Sequence, residues 1–188
     1  MNSREKAECL LALRRDIARE QKKGLHFILA AVLIWALVTL IHLSPLRLTA
    51  KNVLTIFCSA PIFPLAVLFS KILRVDFFDK SNPLWKPGVT FALNQMLYIP
   101  LSVWAFYAVP EKMLLVYAVI TGAHLLPYAW LYCSSTYFYF SIILAVTALV
   151  VGWIASGAVL AAVMLTLFIL FCACLMIEVQ KGNNEAVS

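Results

Sequence analysis

The sequence predicts an all-α fold: an integral membrane helical bundle of six transmembrane helices preceded by an amphipathic N-terminal helix. Three observations carry that prediction. Of the 188 residues, 63% are hydrophobic and only 13% are charged, whereas a soluble domain usually carries about a quarter charged residues. The charges are also segregated, and from Met113 to Ile177 there is no Lys, Arg, Asp or Glu. Finally, apolar runs of about 20 residues, the length that crosses a hydrocarbon core as a helix, recur along the chain. So few polar side chains cannot cover a surface in water, and little of the protein is left to stand outside the bilayer.

Residues 3–22 read as the amphipathic helix. Asn2 and Glu5 have the spacing of a capping box. Leu10, Leu13 and Ile17 share one face, while Arg4/Glu8 and Asp16/Arg19 can pair on the wetter side. Arg14, Arg15, Arg19, Lys22 and Lys23 then lead into an apolar run too long for the core of a cleaved secretory signal. Spans are expected near 25–43, 52–73, 88–109, 113–133, 137–156 and 158–177. The last two are divided at Ser156-Gly157, because one helix of about 40 residues would be twice the bilayer thickness. The domain organisation expected is therefore a cytoplasmic helix at 1–24, a six-span domain at 25–178 and a short cytoplasmic tail at 179–188.

Orientation follows from the cations near the spans. Arg4, Lys6, Arg14, Arg15, Arg19, Lys22, Lys23, Lys71, Arg74, Lys80, Lys86 and Lys181 fall on one side. Only Arg47, Lys51 and Lys112 fall on the other. Both termini are expected in the cytoplasm, with the chain in the plasma (inner) membrane. The net charge of +6 lies beside apolar segments rather than in a separate basic domain. It points to anionic lipid headgroups as partners and not to nucleic acid. Cys9, Cys58, Cys133, Cys172 and Cys174 lack metal-ligand spacing. Asp76 and Asp79 read as neutralising Arg74 and Lys80, so no metal and no cofactor is expected.

The succession DFFDKSNPLW (76–85), NQMLYIP (94–100), VPEKMLLVYA (109–118) and GAHLLPYAWLY (122–132) resembles a family of small, functionally uncharacterised bacterial multi-pass membrane proteins. The resemblance covers most of the chain. It implies a bacterial membrane setting and supplies no activity.

Candidate chemistry sits in the middle spans, where a polar group is costly unless paired or facing a cavity. Tyr117, Thr121, His124 and Tyr128 form one stripe on span four, with His124 near mid-depth. Span three offers Asn94, Gln95, Tyr98 and Ser102. The short connection Pro110-Glu111-Lys112 makes the two spans antiparallel neighbours, so their polar faces are expected to meet with Tyr98 and His124 at similar depth. Pro61, Pro64, Pro100 and Pro127 are expected to kink their helices. Two readings of the patch stay open: a hydrogen-bonded network that joins two helices, or a wet cavity that takes a small solute.

No Asp or Glu falls within an expected span, and no HExxH, GxSxG or phosphate-cradling glycine loop occurs. Three functions remain open. The first is a small-solute permease, channel subunit or solute-binding protein using Asn94, Gln95, Tyr98, Ser102, Thr121, His124 and Tyr128. The second is an enzyme acting on a lipid or isoprenoid with His124 as acid or base. The third is a non-catalytic assembly or regulatory protein, with small residues Gly152, Ser156, Gly157 and Ala158 available for a homo-oligomer surface.

Overall fold

The computed structural model describes residues 2–185, with side chains to residue 182. Residues 186–188, the end of the expected tail, lie outside the described residues, as does Met1. The fold is the expected all-α bundle. Helix α1 (Ser3–Glu20) begins at the capping box: the Glu5 amide donates to Asn2 Oδ1 at 2.9 Å, and the Asn2 amide donates to Glu5 Oε2 at 2.8 Å. Its apolar face buries Ile17 and Ala18 against the bundle.

A tight turn, Lys22–Gly24, separates α1 from the first span α2 (Leu25–Leu43). Lys22, Lys23 and Gly24 all have positive φ, at 44°, 52° and 68°. Only glycine adopts that region without penalty. The two lysines are held there by their side chains. Lys22 Nζ donates to the Leu73 carbonyl at 2.6 Å, and Lys23 Nζ reaches Glu178 Oε1 at 2.7 Å.

The second span is α3 (Leu48–Ser59) followed by α4 (Ile62–Ile72), bent by 45° across Ala60-Pro61. Pro61 has no amide to continue the α3 ladder, which accounts for the break. Pro64 lies inside α4, which stays helical past it. Helix α5 (Trp85–Ala108) runs unbroken through Pro100, so that proline does not divide its helix. The fourth span is α6 (Met113–Ala123) and α7 (Leu126–Leu131), interrupted at His124-Leu125 with Pro127 in the first turn of α7. Helices α8 (Ser135–Ile154) and α9 (Gly157–Glu185) complete the bundle and part at Ala155-Ser156. Among the described residues, five segments are long and apolar enough to cross a membrane alone, and the bent α3–α4 pair supplies a sixth. The chain is a membrane-embedded protein.

Helices α2, α6, α8 and α9 form the tight part of the bundle. Two glycines set the α6–α8 approach. A Cβ on Gly122 would stand 2.6 Å from the Ala145 amide nitrogen, and one on Gly152 would stand 2.9 Å from Leu115. Gly157 is equally constrained, with the His42 ring 2.9 Å from where its Cβ would be. Gly152 and Gly157 thus serve contacts inside the chain, a different use from the oligomer surface considered above.

Helix α1 lies across the ends of the spans. Asn82 Nδ2 donates to the Leu13 carbonyl at 2.9 Å and to Asp16 Oδ2 at 3.2 Å. The Arg14 guanidinium donates to the Trp130 carbonyl and stacks on its ring at 4.6 Å. On the outer side, Asp16 pairs with Arg19 at 3.2 Å. Helix α9 continues past residue 177, so Glu178, which the sequence sets just beyond the last span, sits within unbroken helix.

Candidate functional site

A cavity of about 260 Å³ lies within the half of the bundle nearer α1. This far exceeds the ~10–15 Å³ that a single water needs. It occurs where two broken spans meet. The α3–α4 bend contributes Ser59, Ala60 and Phe63, and the α6–α7 break contributes Thr121, His124 and Tyr128. Helix α2 supplies Phe27, Ala31 and Trp35, helix α9 supplies Phe168, and Tyr132 and Tyr137 close the α1 end. Broken helices leave such room because two half-helices at an angle cannot both follow a straight neighbour.

Helix α5 forms the remaining wall with Ala92, Gln95, Met96, Ile99 and Ser102. Of the sequence-predicted residues, Gln95, Ser102, Thr121, His124 and Tyr128 line the cavity. Asn94 and Tyr98 do not, which corrects the expected juxtaposition of Tyr98 with His124. The reason is the helical period of 3.6 residues. Gln95, Ile99 and Ser102 share a stripe, and Asn94 lies about 100° to one side of it. Tyr98 is 39% exposed on the outer surface, and Asn94 Nδ2 reaches its hydroxyl only at 3.5 Å.

The hydrogen bonds bear on the two readings of the patch. Thr121 Oγ1 donates to the Tyr117 carbonyl at 2.8 Å, and His124 Nδ1 lies 3.3 Å from the Ile120 carbonyl, both within their own helix. Among the described residues, no side-chain hydrogen bond joins Gln95 or Ser102 to Thr121 or His124. The direct tie between the elements is Tyr128 Oη donating to the Gly88 carbonyl at 3.4 Å. Tyr128 apart, these groups make no side-chain hydrogen bond between the two spans among the described residues. They border open space instead.

The side wall is thin. Helix α5 packs on α6 and α7 rather than on α3 or α4. Met96 and Ile99 line the cavity, and each is also 46% exposed on the outside. Walls that are mostly apolar and aromatic, with a few amide, hydroxyl and imidazole groups, suit a small apolar body carrying one or two polar atoms.

Other polar groups stand apart. His42 Nε2 lies 3.2 Å from Thr55 Oγ1 at the end far from α1, and Asn52 Nδ2 donates to the Pro110 carbonyl at 2.8 Å. His42 is buried there among protein atoms. His26 is buried beside Phe27 and Phe77. Trp35, Tyr132, Tyr137 and the Lys23–Glu178 pair do not stand out as site residues in the sequence. Only the Tyr128/Tyr132 spacing of four carries a signal for any of them.

A family model with the description "Family of unknown function (DUF7010)" matches residues 10–178, from within α1 to the Glu178 ion pair. No curated protein and no solved structure matches the chain.

Proposed function

The chain belongs to this family of unknown function, and we propose that it is a solute-binding membrane protein of the small permease or channel-subunit kind. One observation carries the reading: Gln95, Ser102, Thr121, His124 and Tyr128 border a single 260 Å³ cavity at the meeting of two broken spans. The ligand that fits is a small, largely apolar molecule with one or two hydrogen-bonding atoms. It reaches the cavity through the thin wall between α4 and α5, from the hydrocarbon side. In this reading the protein sits in the inner membrane with both ends cytoplasmic, and α1 lies against anionic headgroups.

The test uses the full chain in phosphatidylcholine nanodiscs with 1-decanol as probe, read by native mass spectrometry. Ala31 lines the cavity, so Ala31→Trp fills it and is expected to abolish the retained adduct. Asn94→Leu, outside the lining, is expected to leave the adduct intact. Equal retention by wild type and by Ala31→Trp, with both folded, removes the proposal.

A further inference from the structure

Beyond the cavity's α1 end lies a second hollow, a groove of about 680 Å³ between α1 and the last turns of α9. Its charged lining is Arg15, Asp16, Arg19 and Lys23. Arg19 is paired with Asp16 and Lys23 with Glu178, while Arg15 has no ion pair among the described residues. The groove therefore keeps a surplus of positive charge.

Tyr132 lines both hollows. No other residue is common to the two linings. Gly24 backs this tyrosine closely: a Cβ there would stand 3.1 Å from Tyr132 Cε2 and 3.2 Å from the Tyr137 hydroxyl. The two phenols differ in how they are held. Tyr137 Oη donates to the Lys23 carbonyl at 2.9 Å, whereas the Tyr132 hydroxyl has no hydrogen-bond partner among the described residues. One ring is fastened by a hydrogen bond and the other by packing, buried against Gly24 and about 5.8 Å from the rings of Tyr128 and Tyr137. The backbone on both sides is strained. Lys22, Lys23 and Cys133 are non-glycine residues with φ of 44°, 52° and 47°, a conformation that concentrates at ligand clamps and switch regions.

We infer that cavity and groove are two parts of one site for an amphiphile with an anionic head, and that Tyr132 is the movable partition between them. This rests on the cavity reading above and extends it. The apolar body lies among Phe27, Trp35 and Phe168, and a phosphate- or carboxylate-type head meets Arg15, Arg19 and Lys23 through charge-assisted hydrogen bonds. A neutral apolar molecule uses only the cavity, and a soluble anion uses only the groove.

The experiment compares decyl phosphate, 1-decanol and inorganic phosphate on the full chain in phosphatidylcholine nanodiscs. Decyl phosphate is expected to bind at least tenfold more tightly than either of the others. Arg15→Gln with Arg19→Gln should remove that preference and leave 1-decanol binding unchanged. Arg4→Gln with Lys6→Gln, the same loss of net charge elsewhere on α1, should keep it. Tyr132→Ala and Tyr132→Leu should speed association of decyl phosphate. Decyl phosphate binding no better than 1-decanol overturns the inference while the cavity reading survives. Inorganic phosphate binding as tightly as decyl phosphate also overturns it, because the groove is then an independent anion site. An unchanged association rate in both Tyr132 variants overturns the partition. Failure of both decyl probes takes down the cavity reading itself.

Discussion

The bundle has a tight half, α2 with α6, α8 and α9, and a loose half, α3–α4 with α5. In the tight half Trp35, Val38, Leu144, Leu160 and Phe171 are all but sealed from the surface. In α5, of 24 residues, only Ser102 and Ala105 are buried. Hydrophobicity does not explain the contrast, since the exposed α5 is less hydrophobic than the buried-faced α2, α8 and α9. Inside lipid, apolar contact between helices brings no hydrophobic gain, so association depends on close fit and polar ties. The tight half has both, through Gly122, Gly152 and the Lys23–Glu178 pair. In the loose half the α3–α4 span is tied to its neighbours through Thr55 and Asn52, α5 has little of either, and the cavity lies along the seam.

The largest expected effect is at the tight half's ion pair. Lys23 and Glu178 have side chains only 16% and 23% exposed, and Glu178 Oε2 also accepts from Ser134 Oγ at 2.8 Å. Lys23→Met leaves that carboxylate without its cation. Because the pair is not fully sealed, the cost should fall near the low end of the ~3–5 kcal/mol for breaking a buried pair. Thermal unfolding in detergent reads it, and Lys23→Met with Glu178→Gln should recover part of the loss. A Lys23→Met protein as stable as wild type would show that the two halves are held alike.

Gly122→Ala comes next. The new methyl would meet the Ala145 backbone nitrogen at 2.6 Å, where no flexible side chain can yield. Helices α6 and α8 must part, at about 1–3 kcal/mol. The same thermal measurement should show Gly88→Ala costing much less, because the nearest atom there is a Leu131 methyl at 3.4 Å.

These particulars show which features of the molecule can be read from its sequence. Composition and charge spacing suffice for spans, since entry into lipid depends on local hydropathy, and the expected 25–43 span coincides with α2. The breaks at Pro61 and Pro127 follow from a missing amide. Pro100 lacks the same amide, yet α5 runs helical through it, so a proline in the sequence does not by itself place a break. Gln95, Ser102, Thr121, His124 and Tyr128 are reachable by counting helical offsets on facing spans. Asn94 and Tyr98 join that face only if polarity implies an inward direction, and an exposed span does not obey that rule. Tyr132 and Lys23 depend on how α1 folds back over the bundle, through contacts such as Asn82 to Leu13, 69 residues apart. No local pattern encodes those.

The loop joining the loose half to α1 should respond more weakly. Asn82 is buried and spends both sides of its amide, accepting from the Leu84 amide at 2.9 Å while donating to Leu13 and Asp16. Asn82→Ala should cost about 1–2 kcal/mol, seen as faster hydrogen exchange in α1 with the spans unchanged. Asp79 gives the same loop a pH dependence. The Ser81 amide and hydroxyl donate to its carboxylate at 2.8 and 3.0 Å, which holds its pKa below the usual value. A lowered folded pKa stabilises the turn above the unfolded value of about 3.9, and that contribution fades as pH falls through the folded value. Exchange at the Ser81 amide should therefore show extra opening below about pH 4, and Asp79→Asn should remove the dependence.

The smallest effect is expected on the outer face of α5. Leu97 is 74% exposed there, so in a membrane its side chain lies among lipid tails. Leu97→Ala removes no protein contact of consequence and opens no void, because lipid fills the space. Its cost should stay within ~0.5 kcal/mol, well below that of Gly122→Ala in the same thermal assay. A cost of about 2 kcal/mol or more, the range for truncating a buried leucine, would mean that protein rather than lipid covers α5. Dilution of the sample then separates the sources: a loss that depends on protein concentration belongs to a contact between copies of the chain, and one that does not belongs to a fit within it. Either result would remove the contrast between the halves, because α5 would then depend on packing as fully as α8 does.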